Sequence, residues 1–123
     1  SEPGFPPVGF PSDSVSEGGL MFKQSTREDY LDAGYSHLQV VYDSTWSYER
    51  NKEHFNDYLK EGGWQTLHSN DGRPDSAVIE AVAVIDAVKD NDGLRIIVVK
   101  LKNSTEVQLS FRKNGRNTLE KTE

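Results

Sequence analysis

Two apolar runs near the C-terminus, AVIEAVAVIDAV at 77–88 and LRIIVVKL at 94–101, determine the fold of this chain. The segment that joins them, KDNDG at 89–93, is rich in turn-forming residues. A strand with one wet face alternates apolar and polar residues, whereas these runs are apolar at nearly every position. Charged side chains interrupt them at Glu80, Asp86, Arg95 and Lys100. The pattern predicts two paired strands in a sheet that is covered on both faces.

The first run is compatible with two structures. Asp75 and Ser76 precede it and could cap a helix, and its alanines have a high helix propensity. Valine and isoleucine recur along the run, however, and branching at Cβ favours a pleated strand. We therefore expect a strand at 77–88, with a helix as the alternative.

One long helix is predicted over residues 44–61. The side-chain oxygens at 43–45 can accept the first free amide protons of this helix, and Gly62 can take the left-handed conformation that ends it. An apolar stripe at helical spacing is made by Tyr48, Phe55 and Leu59.

Strands are predicted on both sides of the helix, at 37–43 and 64–68, and a strand with one wet face is predicted at 106–112. Together with the two apolar runs, these elements give an α+β fold class. We expect an antiparallel or mixed sheet of four to five strands, with one main helix packed on one face.

The length of 123 residues fits a single domain, predicted to span residues 20–113. Residues 1–19 are rich in proline and glycine and are predicted to form an arm or tether, while the polar tail at 114–123 is expected to fray. Between these limits, Met21 and Phe22 indicate a short strand, and STRE at 25–28 indicates a capping box that opens a helical turn.

The composition argues against several kinds of chemistry. The chain has no cysteine, which removes disulfides, thiol nucleophiles and thiolate metal sites. Its histidines, His37, His54 and His68, lack the spacing that places two metal ligands on one helix face. Two of them have an adjacent serine, but adjacent residues of a strand point to opposite faces. We therefore predict no cofactor, no metal and no enzymatic activity; a small hydrolase that uses a histidine base is an alternative.

The element order over residues 37–112 is a strand, a helix, the motif Gly62-Gly63-Trp64, a strand and an antiparallel meander. This order resembles small lipid-anchored or periplasmic α+β domains of the bacterial envelope. The resemblance implies an extracytoplasmic location, periplasmic, lipid-anchored or secreted, with a lipid anchor upstream of Ser1, and it implies no catalytic residues. No run approaches the roughly 20 apolar residues that a transmembrane helix needs, and no signal peptide is expected in the chain as given.

Two groups of residues are candidates for a binding site. Aromatic side chains near one end of the expected sheet are Trp46, Tyr42 and Tyr35, and basic ones on the C-terminal strands are Arg95, Lys100 and Arg112. The favoured function is non-enzymatic binding of a protein partner or self-association. Binding of nucleic acid or another polyanion by the basic strands is an alternative, which the net charge of −6 disfavours.

A single helix cannot cover both faces of an apolar sheet. The second face must be covered either by the arm at 1–19, with Phe5, Val8 and Phe10, or by a second copy of the chain. We favour a homodimer, since three apolar side chains supply too little area.

Overall fold

The protein is a six-stranded antiparallel sheet with one long helix, seen in a computed structural model that describes residues 20–30 and 34–120, of which 20–30 and Tyr42 are described by their backbone alone. The predicted arm at 1–19 lies outside the described residues. The strands are β1 (Leu20–Tyr30), β2 (Tyr35–Ser44), β3 (Gln65–Gly72), β4 (Ile79–Lys89), β5 (Asp92–Leu101) and β6 (Thr105–Lys113). The helices are α1 (Tyr48–Glu61) and α2 (Arg116–Glu120). In space the strands follow the order β1-β2-β6-β5-β4-β3.

The α+β expectation holds in its main features, since one main helix packs on one face of a sheet. The strand prediction for 77–88 is confirmed by β4, and the helix alternative is wrong. Cross-strand pairing explains this outcome, because β4 pairs with β5 along most of its length and with β3 on its other side. That pairing outweighs the local preference of alanine for a helix.

The core lies between α1 and one face of the sheet. On the helix, Tyr48, Phe55 and Leu59 are buried, which confirms the predicted stripe. The buried residues opposite them alternate along the inner strands: Leu38, Val40, Ala83, Ile85, Ala87, Leu94, Ile96, Val98, Val107, Leu109 and Phe111. Burial of this many apolar side chains is the main stabilising contribution to the fold.

Three local predictions are wrong. Gly62 at the end of α1 has a right-handed φ of −83°, and Gly63, with a φ of 79°, is the left-handed residue instead. The sheet has six strands rather than four to five, because β1 runs unbroken through the predicted helical turn at 25–28 and pairs with β2. The N-cap of α1 is Ser47, whose hydroxyl accepts a hydrogen bond from the amide of Arg50 at 3.1 Å, rather than any residue of 43–45. Ser44 still contributes, since its hydroxyl and the carbonyls of Trp46 and Ser47 accept hydrogen bonds from the buried side-chain amide of Asn51.

The C-terminal tail does not fray over Arg116–Glu120. These residues form α2, and Leu119 is only 2% exposed. A methyl group at Gly93 would come 2.8 Å from Cδ1 of Leu119, so the glycine leaves space for this contact. Neither helix in the described part of the chain is long and apolar enough to span a bilayer.

Candidate binding face

The sheet face opposite α1 is the candidate functional surface, and we call it the open face. Among the described elements, only α2 covers part of it, at the corner where Leu119 lies over Gly93. Strand register gives the open face two central rows of side chains that cross the sheet from β2 to β3. The polar row is Gln39, Ser110, Arg95, Asp86 and His68. The apolar row is Val41, Gln108, Ile97, Val84 and Asn70.

Asp86 is the centre of the polar row. Its side chain is only 3% exposed although it points to the open face. Arg95 covers it, donating from Nε to Oδ1 at 2.7 Å and from Nη2 to Oδ2 at 3.0 Å. On the other side, Nε2 of His68 lies 2.8 Å from Oδ2. A carboxylate with partners on both oxygens is held in one orientation.

The same contacts determine the protonation of the group. Burial alone would raise the pKa of Asp86, but the hydrogen bonds and positive charge of Arg95, with a further hydrogen bond from His68, outweigh it and hold the pKa below its ordinary value. The carboxylate in turn raises the pKa of Arg95. Asp86 is therefore ionised at neutral pH, and its charge is compensated within the chain.

A second polar contact lies further along the same face. Nε2 of His37 and Oγ of Ser110 are 2.5 Å apart, although 73 residues separate them. Nε of Arg112 is 3.4 Å from the same Oγ, and its Nη1 donates to Thr118 of α2 at 2.9 Å. Ser110 is only 6% exposed. A serine hydroxyl within hydrogen-bonding distance of a histidine is one requirement of nucleophilic catalysis. The same contact also gives a buried hydroxyl the hydrogen-bond partner that it needs.

The apolar row lies beside this network. Val41 of β2, Ile97 of β5 and Val84 of β4 are all partly exposed, and Gln108 of β6 lies between the first two. Single exposed apolar side chains are ordinary, whereas Ile97 and Val84 stand directly opposite each other and make a small apolar surface.

The open-face side chains at the two ends of β2 and β6 differ in chemistry. His37 stands opposite Arg112 at one end, and Asp43 stands opposite Glu106 at the other. We call these the basic end pair and the acidic end pair. All four residues also make contacts within the chain. Like charges directly opposite each other on a sheet are unfavourable in isolation.

The structure divides the predicted basic group. Arg95 and Arg112 lie on the open face, and Arg95 is already paired with a carboxylate. Lys100 follows the alternation of the helix-covered side and lies 3.8 Å from Glu80. These three residues therefore do not form one continuous cationic patch.

The predicted aromatic group is not brought together either. Trp46 lies between β2 and α1, with the guanidinium carbon of Arg50 3.7 Å from its ring centroid and the ring of His54 in edge contact at 5.1 Å. Tyr35 begins β2, whereas Tyr42 lies near its other end, opposite Val107 of β6.

Within the described ranges, no cluster of three or more potential metal ligands occurs. No protein-family model matches the chain. No curated protein is similar enough to indicate a relationship.

Proposed function

We propose that the chain is a non-enzymatic interaction domain that uses the open face to bind another protein surface, with a second copy of itself as the partner. The observation that supports this proposal best is the apolar row beside a polar row that is already neutralised. Burying an unpaired neutral polar group costs about 2–7 kcal/mol. Burying an uncompensated charge costs more. Because Asp86 is satisfied by Arg95 and His68, a partner can cover this row without that cost.

Mass in solution tests the proposal. Sedimentation equilibrium over a wide concentration range should show a species at twice the chain mass of 13.8 kDa. The variant Ile97→Asp, which puts a charge in the middle of the open face, should be monomeric. Val78→Asp is the matched control, since Val78 is 64% exposed and precedes β4. A wild-type chain that stays monomeric throughout, or a control as disruptive as Ile97→Asp, would contradict self-association.

The extracytoplasmic location is part of the same proposal, since it derives from the resemblance to envelope domains. Fractionation of cells that express the native gene, followed by immunodetection, tests it directly. Recovery with cytoplasmic markers would argue against an envelope domain.

Polyanion binding is a weaker proposal than self-association through the open face. Arg95 is compensated by Asp86, and Lys100 lies on the other side of the sheet. We expect heparin to bind only at low ionic strength. Binding near physiological salt that disappears in the double variant Lys100→Glu, Arg112→Glu would reverse the ranking.

The contact of Ser110 with His37 is the observation that favours the hydrolase alternative. Turnover of an activated ester by the wild-type chain, lost in Ser110→Ala and kept in Ser104→Ala, would support it. Ser104 is an exposed loop residue and serves as the matched control. Equal turnover in all three proteins would assign the contact a structural role.

A further inference from the structure

A shallow groove lies at the β3 end of the open face. Its floor is formed by the side chains of Val82 and Val84, and its wall by residues 70–74. The volume of the groove is about 360 Å3. Both valines are partly exposed. The short helix α2 lies over Gly93 at the other end of β4 and β5, so it leaves this groove open.

Arg73 gives the groove a positive charge. Its side chain is exposed, and no hydrogen bond or ion pair joins it to another residue of the described ranges. The neighbouring carboxylate of Asp71 is already paired with Lys52 of α1 and accepts a hydrogen bond from Tyr48 at 3.2 Å. A ligand that suits the groove therefore combines apolar side chains for the two valines with a negative charge for Arg73.

The arm at 1–19 has this composition. Three of its residues are acidic and none is basic, and four are proline. Prolines favour the extended polyproline II conformation, which binds to grooves with little loss of conformational entropy. Three residues complete one turn of that conformation. Its period therefore puts Phe5, Val8 and Pro11 on one side, and all three are apolar.

The attachment point of the arm is close enough to the groove. Strand register places Leu20 in the same row across the sheet as Ala81, the residue that precedes Val82. β1 and β4 are four strand spacings apart, which corresponds to about 19 Å. The chain between Pro11 and Leu20 can extend over about 30 Å. The apolar part of the arm can therefore cover the groove.

We propose that the arm at 1–19 binds in the groove of its own chain, with apolar side chains on Val82 and Val84 and carboxylates near Arg73. This inference goes beyond the proposed function, because it assigns the β3 end of the open face to the chain itself and does not depend on self-association. The helix α2 already covers the corner at Gly93, and the polar row is neutralised. A short segment with few apolar side chains is sufficient for the surface that remains.

Paramagnetic labelling of the full chain tests the position of the arm. The chain has no cysteine, so Ser12→Cys provides a single site for a nitroxide label beside the apolar part of the arm. In the isotope-labelled protein, the amide resonances of Val82 and Val84 should lose most of their intensity. The resonance of Asn56, on the exposed side of α1, should keep its intensity. Chemical reduction of the nitroxide gives the reference intensities. Unchanged intensities at both valines would overturn the proposal.

Two charge reversals test the contribution of Arg73. Arg73→Glu in the labelled chain should restore most of the intensity at Val82 and Val84, because the acidic arm is then repelled. Lys113→Glu makes the same change of charge at the exposed end of β6 and should leave the intensity loss as it was. Circular dichroism checks that both variants are folded. An equal intensity loss in Arg73→Glu and in the parent chain would contradict the binding of an acidic segment beside Arg73.

A mixing experiment distinguishes the arm of the same chain from the arm of a second copy. A chain that carries only the nitroxide is mixed with a chain that carries only the isotope, at a concentration at which sedimentation shows a monomer. We expect no intensity loss at Val82 and Val84 in this mixture. A loss in the mixture would assign the groove to the arm of a second copy and would overturn binding within the chain.

The outcomes separate this inference from the proposed function. If the wild type dimerises but the nitroxide leaves Val82 and Val84 unchanged, self-association stands and this inference is wrong. If the wild type stays monomeric and the nitroxide removes the two signals, this inference stands and self-association is wrong.

Discussion

Asp86 of β4 and Arg95 of β5 stand directly opposite each other in the strand register and are joined by two hydrogen bonds, of 2.7 and 3.0 Å. They are equidistant from the tight turn at Asp90 and Asn91, where Asp90 has a φ of 54°. The register of the hairpin alone therefore brings the two side chains together. It places a compensated charge in the middle of a largely apolar sheet.

Asp86→Asn should lower the free energy of unfolding by about 2 kcal/mol. Removing one member of a fully buried pair costs about 3–5 kcal/mol, but the side chain of Arg95 is 38% exposed, so water partly replaces the lost partner. Urea denaturation measures the change. Glu80→Gln is the control, since its surface pair with Lys100 should contribute less than about 1 kcal/mol. Equal losses in the two variants would contradict a special role for Asp86.

The lowered pKa of Asp86 predicts how this contribution changes with pH. A group whose pKa is lower in the folded state stabilises the protein above its unfolded pKa, and that stabilisation is lost as the pH falls through the folded pKa. The stability difference between wild type and Asp86→Asn should be full at pH 7 and shrink below about pH 4. Urea denaturation at a series of pH values measures it. A difference that grows on acidification would contradict the lowered pKa.

Asn51→Ala should destabilise the junction of β2 and α1. The Asn51 side chain is fully buried, and its amide donates to Oγ of Ser44 at 3.1 Å and to the carbonyls of Trp46 and Ser47 at 3.3 and 3.0 Å. Leaving buried acceptors without a donor costs about 1–3 kcal/mol. Asn56→Ala, on the exposed side of the same helix, should leave the urea midpoint nearly unchanged. A small effect at Asn51 would mean that water satisfies these acceptors.

Phe55→Ala tests the packing of α1 on the sheet. Phe55 is fully buried, and its removal leaves a cavity in the core, so we expect a loss of about 3–5 kcal/mol. Thermal and urea denaturation both measure it. Asp57→Ala, an exposed position on α1, provides the baseline. An unchanged midpoint in Phe55→Ala would refute the assignment of the stripe.

Periodicity predicted the parts of the fold that depend on burial. The helix stripe and the strands at 77–88, 94–101 and 106–112 follow from the spacing of their apolar residues. The first strand could not be predicted in this way, because residues 20–30 are mostly polar. They form a strand through their pairing with β2. Local capping chemistry at 25–28 indicated a turn that this long-range pairing excludes.

The open-face network was harder to predict, because its residues come from five strands. Asp86 and Arg95 could have been paired from the sequence, since each is a charged interruption and they are equidistant from a two-residue turn at 90–91. If the whole of KDNDG at 89–93 is taken as the turn, Asp86 and Arg95 are no longer equidistant from its centre. The contact of His37 with Ser110 could be predicted only if β2 and β6 were known to be neighbours in the sheet. No local sequence pattern indicates that strand order.

Leu119→Ala tests whether the C-terminal tail is part of the domain. Leu119 is buried on the open face, where it lies over Gly93, and α2 is further tied to the β4–β5 hairpin by the bond from the amide of Arg116 to the carbonyl of Asn91 at 3.0 Å. Truncating a buried leucine costs about 2–5 kcal/mol, and we expect a value near the lower limit because the residue is close to the chain end. Asn117→Ala, exposed on the same turn, should have little effect on the urea midpoint.

Amide exchange at Val88 and Leu94 should quicken in Leu119→Ala alone, because that corner of the sheet loses its cover. Identical unfolding and exchange in the two variants would show that the tail adds no packing, as the polar composition of residues 114–123 first indicated.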